Sequence, residues 1–201
     1  MRIAHIADIH WRGYQRHLEY RTSFLDMFSQ LRDLNVDAIC VAGDIVHSKT
    51  QGISPELIDN LNWWFTELSR IAPTHVILGN HDGLILNKDR QDAISPILNA
   101  LNLHNLYKKS GVYEDPNNDS FNWCAFSPFD EESYSQVKPE KDKINIAMYH
   151  GSVWGSHTDM DFMLDGDCKM DFFRGFEFVM LGDIHKRQQL DTEGRIWYPG
   201  S

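Results

Sequence analysis

Five short apolar runs in this chain end in the same way, with a histidine close to an Asp, Asn or Gly within a few residues. The five segments read AHIADIH, ICVAGDIVH, VILGNHD, IAMYHG and VMLGDIH. They are spread from residue 3 to residue 185, and half of the ten histidines stand at these run ends. No single helix or loop can bring such distant positions together. A sheet whose strands end at one common edge can do so.

The apolar runs predict buried strands of an α/β sheet. Residues 39–43, 76–79, 144–149 and 178–182 are near-continuous β-branched and aliphatic stretches, which is typical of strands covered on both faces, whereas residues 2–8 alternate more. A glycine follows four of the runs and is expected to permit a sharp exit from the strand, at positions 43, 79, 151 and 182. Ligands of open α/β sheets bind at the carboxyl ends of the strands, because the loops converge there. We therefore expect an α/β fold with helices flanking β-sheets and a site at those strand ends.

The segments between the runs predict helices at 19–34, 55–71 and 91–101. Ser54 is a candidate N-cap of the second helix, which would begin at Pro55. Trp63 falls outside the apolar stripe of this helix, so it is a candidate for a partner contact or for burial under a loop. Strands are predicted within 104–126 around a turn at 115–120, a charged connection at 130–143, and a hairpin near the end, from 188 onward. The length of 201 residues, 42% of them hydrophobic, predicts one domain spanning 1–201.

The residue types at the run ends indicate a divalent metal site. Carboxylates, an amide oxygen and neutral imidazoles, with no cysteine among them, suit Mn²⁺, Fe²⁺, Zn²⁺ or Mg²⁺ and disfavour a thiolate zinc site. They are too many for one tetrahedral ion, so we expect two ions about 3.5 to 4 Å apart that share a carboxylate and a water. The candidate site residues are Asp8, His10, Asp44, His47, Asn80, His81, Asp82, His150, Asp183 and His185.

Taken in order, the motifs DxH, GDxxH, GNHD, HG and GDxH resemble those of the calcineurin-like metallophosphoesterase superfamily. Within it, AHIADIHW, GDIVH, GNHD and LGDIHKRQ followed by WYPGS are most similar to SbcD-type nuclease subunits of double-strand-break repair complexes. The resemblance covers nearly the whole chain. It implies the layered metallophosphoesterase fold and a Mn²⁺-dependent DNA exonuclease/endonuclease, with Mg²⁺, Fe²⁺ or Zn²⁺ as alternative ions.

The resemblance also implies a role for each motif residue. Two ligand sets would share Asp44 as the bridge: Asp8, His10, Asp44 and His185 for one ion, and Asp44, Asn80, His150 and Asp183 for the other. His81 would be catalytic and face the scissile phosphate, as a transition-state stabiliser or as the acid for the leaving oxygen, with His47 beside it. Many family members have GHxH at the last motif, where this chain has Asp183, so an altered metal preference is expected. The implied reaction is in-line hydrolysis by a metal-activated water.

Several of these residues also have a purely structural explanation. A strand-terminal Asp is often a turn or helix cap. His5, His75 and His104 lie in or beside apolar runs and are predicted to be structural, whereas the role of His157 stays open. Asp82 would either orient His81 or close an Asx turn.

The charge of the chain fits a nuclease less well than its motifs do. Nineteen basic and 29 acidic residues give a formal net charge of −10, and two bound divalent ions would reduce it by four units to −6. Such a chain has no general attraction for polyphosphate. Basic residues do recur beside the motifs, and Arg12, Arg16, His17 and Arg187 are the candidate substrate-binding residues. Arg21, Lys49, Lys88, Arg90 and Lys186 share this placement. An ordinary solvated surface explains any single one of them, but their repeated placement beside the motif loops favours phosphate steering.

The sequence and the resemblance also give expectations for the cellular location and the partners. No cleavable leader is expected, because the first residues already read as a strand that carries ligands, and no apolar stretch reaches about 18 residues. Cys40, Cys124 and Cys168 are odd in number and widely spaced, so a cytoplasmic protein without a membrane partner is expected. SbcD-like proteins continue beyond a YPGS-like loop into a capping segment that grips DNA, and we expect this chain to be a nuclease core without it. Their partners would be DNA and an SbcC-type SMC-like ATPase, with a homodimer as one arrangement.

Two alternative functions stay open. A small-nucleotide phosphodiesterase or phosphoprotein phosphatase of the same superfamily could use the same metals. A scaffold that binds metal without catalysis is the second alternative, although the intact Asn80 and His81 argue against it.

Overall fold

The computed structural model describes residues 1–47, 53–102 and 105–201. Lys49 and His104, for which the sequence predicted phosphate steering and a structural role, lie outside the described residues. The strands are β1 (Ile3–Ile6), β2 (Ala38–Ala42), β3 (Thr74–Ile77), β4 (Asn105–Tyr107), β5 (Gly111–Asp115), β6 (Asn118–Phe126), β7 (Ile144–His150), β8 (Phe178–Gly182), β9 (Gln188–Gln189) and β10 (Ile196–Tyr198). The α-helices are α1 (His17–Asp33), α2 (Pro55–Ile71) and α3 (Ser95–Leu101), with 3-10 helices at Glu131–Gln136 and Met170–Phe173.

The strands form two sheets that pack face to face. The first has the order β1-β2-β3-β4 and is parallel throughout. The second has the order β5-β6-β7-β8-β10-β9, and its central strands β6, β7, β8 and β10 are parallel, while β5 and β9 pair antiparallel at the two edges. Small and apolar side chains of both sheets share one buried cluster between the layers, including Cys40, Ala42, Trp123, Ile146 and Met148. The carboxyl ends of the parallel strands of both sheets can therefore meet at one edge.

Helices cover the outer face of the first sheet, and loops with 3-10 helices cover the second. Phe28 of α1 and Leu61 and Trp64 of α2 are fully buried against the first sheet. Phe173 and Phe176 pack on the other side of the second sheet. The predicted fold class, α/β with two sheets flanked by helices, is confirmed.

The ends of α2 and α3 show how local side chains set the helix bounds. Ser54 Oγ accepts a hydrogen bond from Leu57 N at 3.1 Å, and Pro55 occupies the first turn, as the sequence predicts. Helix α3 begins four residues later than predicted. The reason is Asp92, whose Oδ1 accepts from Ile94 N and Ser95 N and so holds the preceding residues in a capping turn.

Trp63 is not an exposed side chain. It is half-buried, its ring lies edge-on to Phe28 of α1 with centroids 5.4 Å apart, and the guanidinium of Arg21 stacks 4.5 Å from its ring centre. The residue therefore packs between α1 and α2, and its position outside the stripe of α2 no longer favours a contact with a partner.

The turn within 115–120, the terminal hairpin and the structural role of His75 agree with the sequence predictions. The predicted turn within 115–120 joins β5 to β6, and Asp115 Oδ1 accepts from Asn117 N and Asn118 N there. The terminal hairpin is formed by β9 and β10. His75 is fully buried. A hydrogen bond of 2.9 Å joins its Nδ1 to the Tyr107 hydroxyl, and its ring stacks on Trp123, as expected for a structural residue. None of the helices among the described residues is long and apolar enough to cross a membrane.

Candidate metal centre

The five predicted run ends do converge, because both sheets direct their carboxyl ends to the same edge. Asp8 and His10 follow β1, and Asp44 follows β2. Backbone hydrogen bonds continue the pairing of these strands into the loops, from Asp8 N to Gly43 O (3.1 Å) and from His10 N to Asp44 O (3.0 Å). The third strand is followed by Asn80 and His81, while His150 ends β7 and Asp183 and His185 follow β8. The first sheet thus contributes three segments and the second sheet two.

The backbone at these strand ends is unusual. Asp8, His10, Asp44 and Asp183 all have positive φ values, between 44° and 96°. For residues other than glycine this conformation costs on the order of 1 kcal/mol or more, and such residues concentrate at functional sites. Gly43 has a φ of 87°, and a Cβ there would lie 2.5 Å from His150 Nδ1 and 2.7 Å from Gly79 N. The glycine predicted to permit a sharp exit also permits this close approach of the β2 and β7 ends.

Asp44 lies at the centre of the cluster. Its Oδ2 is 3.5 Å from His10 Nε2 and 4.0 Å from His81 Nε2, and its Oδ1 is 3.3 Å from His150 Nε2. Oδ1 also accepts a hydrogen bond from His81 N at 2.8 Å. Burial would raise the pKa of Asp44, but His150, the His81 amide and His10 outweigh it and hold that pKa below its usual range. The carboxylate is therefore ionised and available to ligate on both oxygens.

A first group of possible ligands combines Asp8, His10 and His185, whose ligand atoms lie within 4.8 Å of one another. The Nε2 atoms of His10 and His185 are 3.0 Å apart. Burial, only partly offset by Asp44, lowers the pKa of His10 to about 4, so its ring is neutral and has a lone pair to offer. Asp8 is buried, and its two oxygens accept from Asp183 N at 3.0 and 3.1 Å. Burial raises the pKa of Asp8 to about 6.

A second group combines Asp8, Asp44 and His150. His150 Nδ1 donates to the carbonyl oxygen of Ala42 at 2.8 Å, which leaves Nε2 to face the carboxylates. This buried Nε2 has no hydrogen-bond partner among the described residues, although Asp44 Oδ1 and, at 3.8 Å, Asp183 Oδ1 are close. Burial would lower the pKa of His150, but Asp44 and Asp8 outweigh it and raise that pKa to about 9.

Asn80 and Asp183 stand next to this second group. The Nδ2 of Asn80 donates to Asp183 Oδ1 at 3.2 Å, so the two predicted ligands are held side by side. Burial raises the pKa of Asp183, with the charges of Asp44 and Asp167 acting in the same direction. A cluster of carboxylates whose charges oppose one another, with the Nε2 of His150 directed into it, is a donor set that fits divalent cations.

His81 and His47 line the open side of the cluster. His81 Nδ1 lies 2.5 Å from the carbonyl oxygen of His47, so Nδ1 carries the proton and donates, and Nε2 points toward Asp44. The side chain of His81 is 43% exposed. His81 also forms a possible ligand group with His10 and Asp44, so the geometry allows either a metal ligand or a group that meets the substrate. Burial and the nearby charges of Arg12 and His81 lower the pKa of His47.

Asp82 has a role that the sequence did not reveal. It neither orients His81 nor closes a turn alone: Oδ1 accepts from Ile45 N (2.9 Å) and Val46 N (3.0 Å), and Oδ2 accepts from Gly79 N (2.8 Å). The side chain is fully buried, and burial together with the charge of Asp44 raises its pKa to about 7. Asp82 therefore fastens the loop after β2 to the loop after β3. Its first two partners are more than thirty residues away in sequence, so no local pattern could have indicated them.

The four candidate substrate-binding residues do not lie together. Arg12 and Arg16 line a cavity of about 560 Å³ that also contains Asp8, His10, Asp44, His47, His81, Asp183 and His185. His17 faces a neighbouring cavity, and its two ring nitrogens are taken up by the Gly13 carbonyl oxygen and the Asn60 amide. Arg187 lies beside the ring of Trp197, 5.9 Å from its centre, along a groove between β1 and α1. Two of the four thus border the metal cavity.

One known protein sequence and one solved structure illustrate what this chain is similar to. An uncharacterized protein of Acanthamoeba polyphaga mimivirus is 37% identical over 216 residues, which cover 99% of this chain and 16% of that protein. The chain therefore spans only about a sixth of that relative's length. A nuclease MPE from Pseudomonas putida aligns with 79% of this chain and 64% of its own, at 16% identity and a TM-score of 0.40. Residues 1–187 match the calcineurin-like phosphoesterase family profile, and the chain belongs to that family.

Proposed function

We propose that this chain is the catalytic core of a divalent-metal-dependent phosphodiesterase that cleaves DNA. The observation that carries the proposal is the central position of Asp44, whose two buried oxygens face imidazole nitrogens from three other strand ends. A bridging carboxylate of this kind is what two adjacent metal ions require. Membership of the calcineurin-like phosphoesterase family supports hydrolysis of a phosphoester as the reaction.

The seven ligands in this proposal come from five strand ends. One ion would be held by Asp8, His10, Asp44 and His185, and the other by Asp44, Asn80, His150 and Asp183. Two divalent ions, which we propose to be Mn²⁺, would supply an activated water for the attack and positive charge to neutralise the non-bridging phosphate oxygens. The chain itself keeps His150 in one tautomer through the Ala42 carbonyl, so that Nε2 always faces the carboxylates.

His81 is proposed as the residue that acts on the substrate. Because Nδ1 donates to the His47 carbonyl, Nε2 can carry a proton only when the ring is positively charged. In that form Nε2 can stabilise the charge on the phosphate or protonate the leaving oxygen. His47 supplies the carbonyl that fixes this orientation, and Arg12, at the same cavity, can contact a neighbouring phosphate.

DNA as the substrate rests on the motif resemblance to SbcD-type nucleases and on the two arginines that line the cavity. A role in repair or recombination, with an SbcC-type SMC-like ATPase and a capping segment as further parts, follows from the same resemblance and is part of the proposal. A homodimer is also part of the proposal, but Trp63 gives it no support because this side chain packs between α1 and α2. A cytoplasmic location is favoured by three cysteines that form no disulfide.

A small-nucleotide phosphodiesterase is the second candidate, and the net charge of −10 favours it. A small substrate needs only the metal cavity, whereas a polyphosphate chain must also approach the acidic surface. Incubation of the Mn²⁺-loaded protein with a DNA oligonucleotide and with a cyclic mononucleotide separates the two. Turnover of the cyclic nucleotide alone would overturn the choice of DNA.

The proposal is tested most directly through Asp44. Asp44→Ala is expected to lose bound metal at both positions and all hydrolysis of bis-p-nitrophenyl phosphate, because this side chain would ligate both ions. Asp33→Ala, which removes an exposed carboxylate at the end of α1, is the matched control and should keep both properties. Full metal content in Asp44→Ala would contradict the assignment, and a wild-type protein that binds metal without turnover would favour the scaffold alternative.

A further inference from the structure

The segment after β7 forms a hairpin with exposed apolar residues. Its arms are joined by hydrogen bonds from Gly155 N to Leu164 O (3.0 Å) and from Leu164 N to Ser156 O (2.8 Å). At the tip, Thr158 N donates to Phe162 O and Asp161 N donates to Thr158 O, both at 2.9 Å. The backbone of this hairpin, defined as residues 154–164, is therefore ordered by its own hydrogen bonds.

Large apolar side chains of the hairpin do not take part in this ordering. Met160 is 79% exposed, Phe162 67% and Met163 57%, and Trp154 at the base is also exposed. Leu164 of the hairpin packs against the core of the second sheet. Several large apolar side chains exposed on one short ordered element are unusual on a free surface and indicate an interaction site. Methionine and aromatic side chains are the types that adapt to and anchor a partner.

The surroundings of these side chains are acidic. Asp159, Asp161, Asp165 and Asp167 are exposed on the hairpin or directly after it. Asp161 pairs with Lys186, and Asp167 accepts from Ser152 N and Oγ. Asp159 and Asp165 form no ion pair with any described residue. A phosphate backbone would be repelled here, whereas a basic partner would gain both charge and apolar contacts.

We propose that this hairpin is a docking site for a basic amphipathic helix of a partner protein. Methionine and phenylalanine side chains would receive the apolar face of the helix, while Asp159 and Asp165 would meet its lysine or arginine side chains. The position of the hairpin ties it to the metal centre. It begins four residues after His150, and His157 N donates to the side chain of Gln188, three residues after His185. The inference does not depend on the proposed nuclease activity.

The test uses a synthetic peptide of about 18 residues, composed of leucine and lysine, with the leucines on one helical face. A scrambled peptide of the same composition, without an apolar face, is its control. Isothermal titration calorimetry with the 201-residue chain is expected to show binding of the amphipathic peptide and at least tenfold weaker binding of the scrambled one. Phe162→Ser/Met163→Ser should weaken the binding by about tenfold or more.

Two further variants make the result specific. Asp159→Asn/Asp165→Asn should weaken binding and reduce its dependence on salt, since it removes the charges that have no other partner. Leu25→Ser, an exposed apolar residue on α1, should bind as the wild type does. Thermal melting and hydrolysis of bis-p-nitrophenyl phosphate should be unchanged in all three variants.

Three outcomes would overturn the proposal. One is the absence of peptide binding up to about 1 mM. Another is equal affinity of the wild type and the Phe162→Ser/Met163→Ser variant. The third is that this variant keeps peptide binding but loses affinity for a single-stranded oligonucleotide, which would assign the hairpin to nucleobase stacking instead.

Discussion

His81 and His150 share one hydrogen-bonding pattern, since the Nδ1 of each donates to a backbone carbonyl, but the two rings differ in their exposure. His150 is buried, with Nε2 directed at two carboxylates, and the Nε2 of His10 faces that of His185 at 3.0 Å. His81 lies at the rim of the cavity, 43% exposed, with Nδ1 held by a backbone carbonyl. A ligand must be neutral to bind metal, whereas a group that stabilises a phosphate must be charged. The exposed position of His81 permits the charged form.

His81→Gln therefore tests whether this ring acts on the substrate or ligates a metal. We expect unchanged metal content and turnover lower by about 10²-fold or more, the usual scale for the loss of one general acid or stabilising donor. Metal content is measured by elemental analysis and turnover with bis-p-nitrophenyl phosphate. Loss of one metal equivalent would instead make His81 a ligand together with His10 and Asp44, a group that the geometry also allows.

At the scale of the element, the loops after β2 and β3 behave as one unit because Asp82 accepts three backbone hydrogen bonds from them. Asp82→Asn replaces one acceptor oxygen with an NH₂ group, so at least one of these backbone N–H groups loses its acceptor. We expect the free energy of unfolding to fall by about 1 to 3 kcal/mol. Metal affinity should fall as well, because Asp44 and Asn80 lie on the two fastened loops.

Asp92→Asn is the control for this prediction. Asp92 is also a buried carboxylate that accepts backbone hydrogen bonds, but its donors are Ile94 and Ser95 at the start of α3, and it belongs to none of the possible metal-ligand groups of the described residues. Denaturant unfolding should show a loss of stability in both variants, whereas metal titration should show weaker binding only in Asp82→Asn. Equal metal affinities would mean that the fastening of the loops has no influence on the site.

The elements that the sequence predicted well are those whose cause is local. Helix α2 starts at Pro55 because Ser54 caps it. The strands end where the apolar runs give way to the polar candidate ligands. Trp63 was harder to place, because its partner Phe28 belongs to another helix and the periodicity of one helix does not show how two helices pack. The late start of α3 depends on a cap by Asp92 that competes with the helical pattern.

The site was predictable in its residue types but not in its arrangement. Each motif states which groups stand at a strand end, and parallel strands explain why they meet. The sequence could not show that His17 would be held by Gly13 and Asn60, or that Arg187 would lie beside Trp197, because these contacts depend on the direction of each side chain. The hydrogen bonds of Asp82 could not be predicted for the same reason.

For the whole molecule, the packing of the two sheets makes stability depend on pH through His75. This ring is fully buried between the layers, and burial, only partly offset by Asp115, lowers its pKa to about 4 from an ordinary 6.5. Below pH 6.5 His75 binds a proton in the unfolded chain, whereas in the folded protein it does so only as the pH approaches 4. Stability is therefore lost as the pH falls from about 6.5 to 4, by up to about 3 kcal/mol from this residue.

His75→Gln isolates this contribution from those of the metal ligands, which titrate in the same range. The variant is expected to be less stable at neutral pH, because it loses the stacking on Trp123, but its unfolding free energy should change less between pH 6.5 and 4. Urea unfolding of the metal-free proteins at a series of pH values measures both. Parallel pH curves for the two proteins would show that His75 titrates normally in the folded state.

The overall charge of −10 means that only local cations can hold DNA. Arg12 borders the metal cavity and lies close enough to His47 to lower its pKa, whereas Arg187 faces a groove between β1 and α1. Binding of a duplex oligonucleotide should therefore be weak and fall steeply with salt. We expect Arg12→Ala to flatten the slope of log K against log salt by about 1, the effect of one lost phosphate contact, and Arg187→Ala to leave it unchanged. Fluorescence anisotropy across a salt series measures the slopes. The opposite result would place the path of DNA along the groove between β1 and α1, which shares Ile9, Ser23, Phe24 and Ser201 with the cavity that contains Asp44.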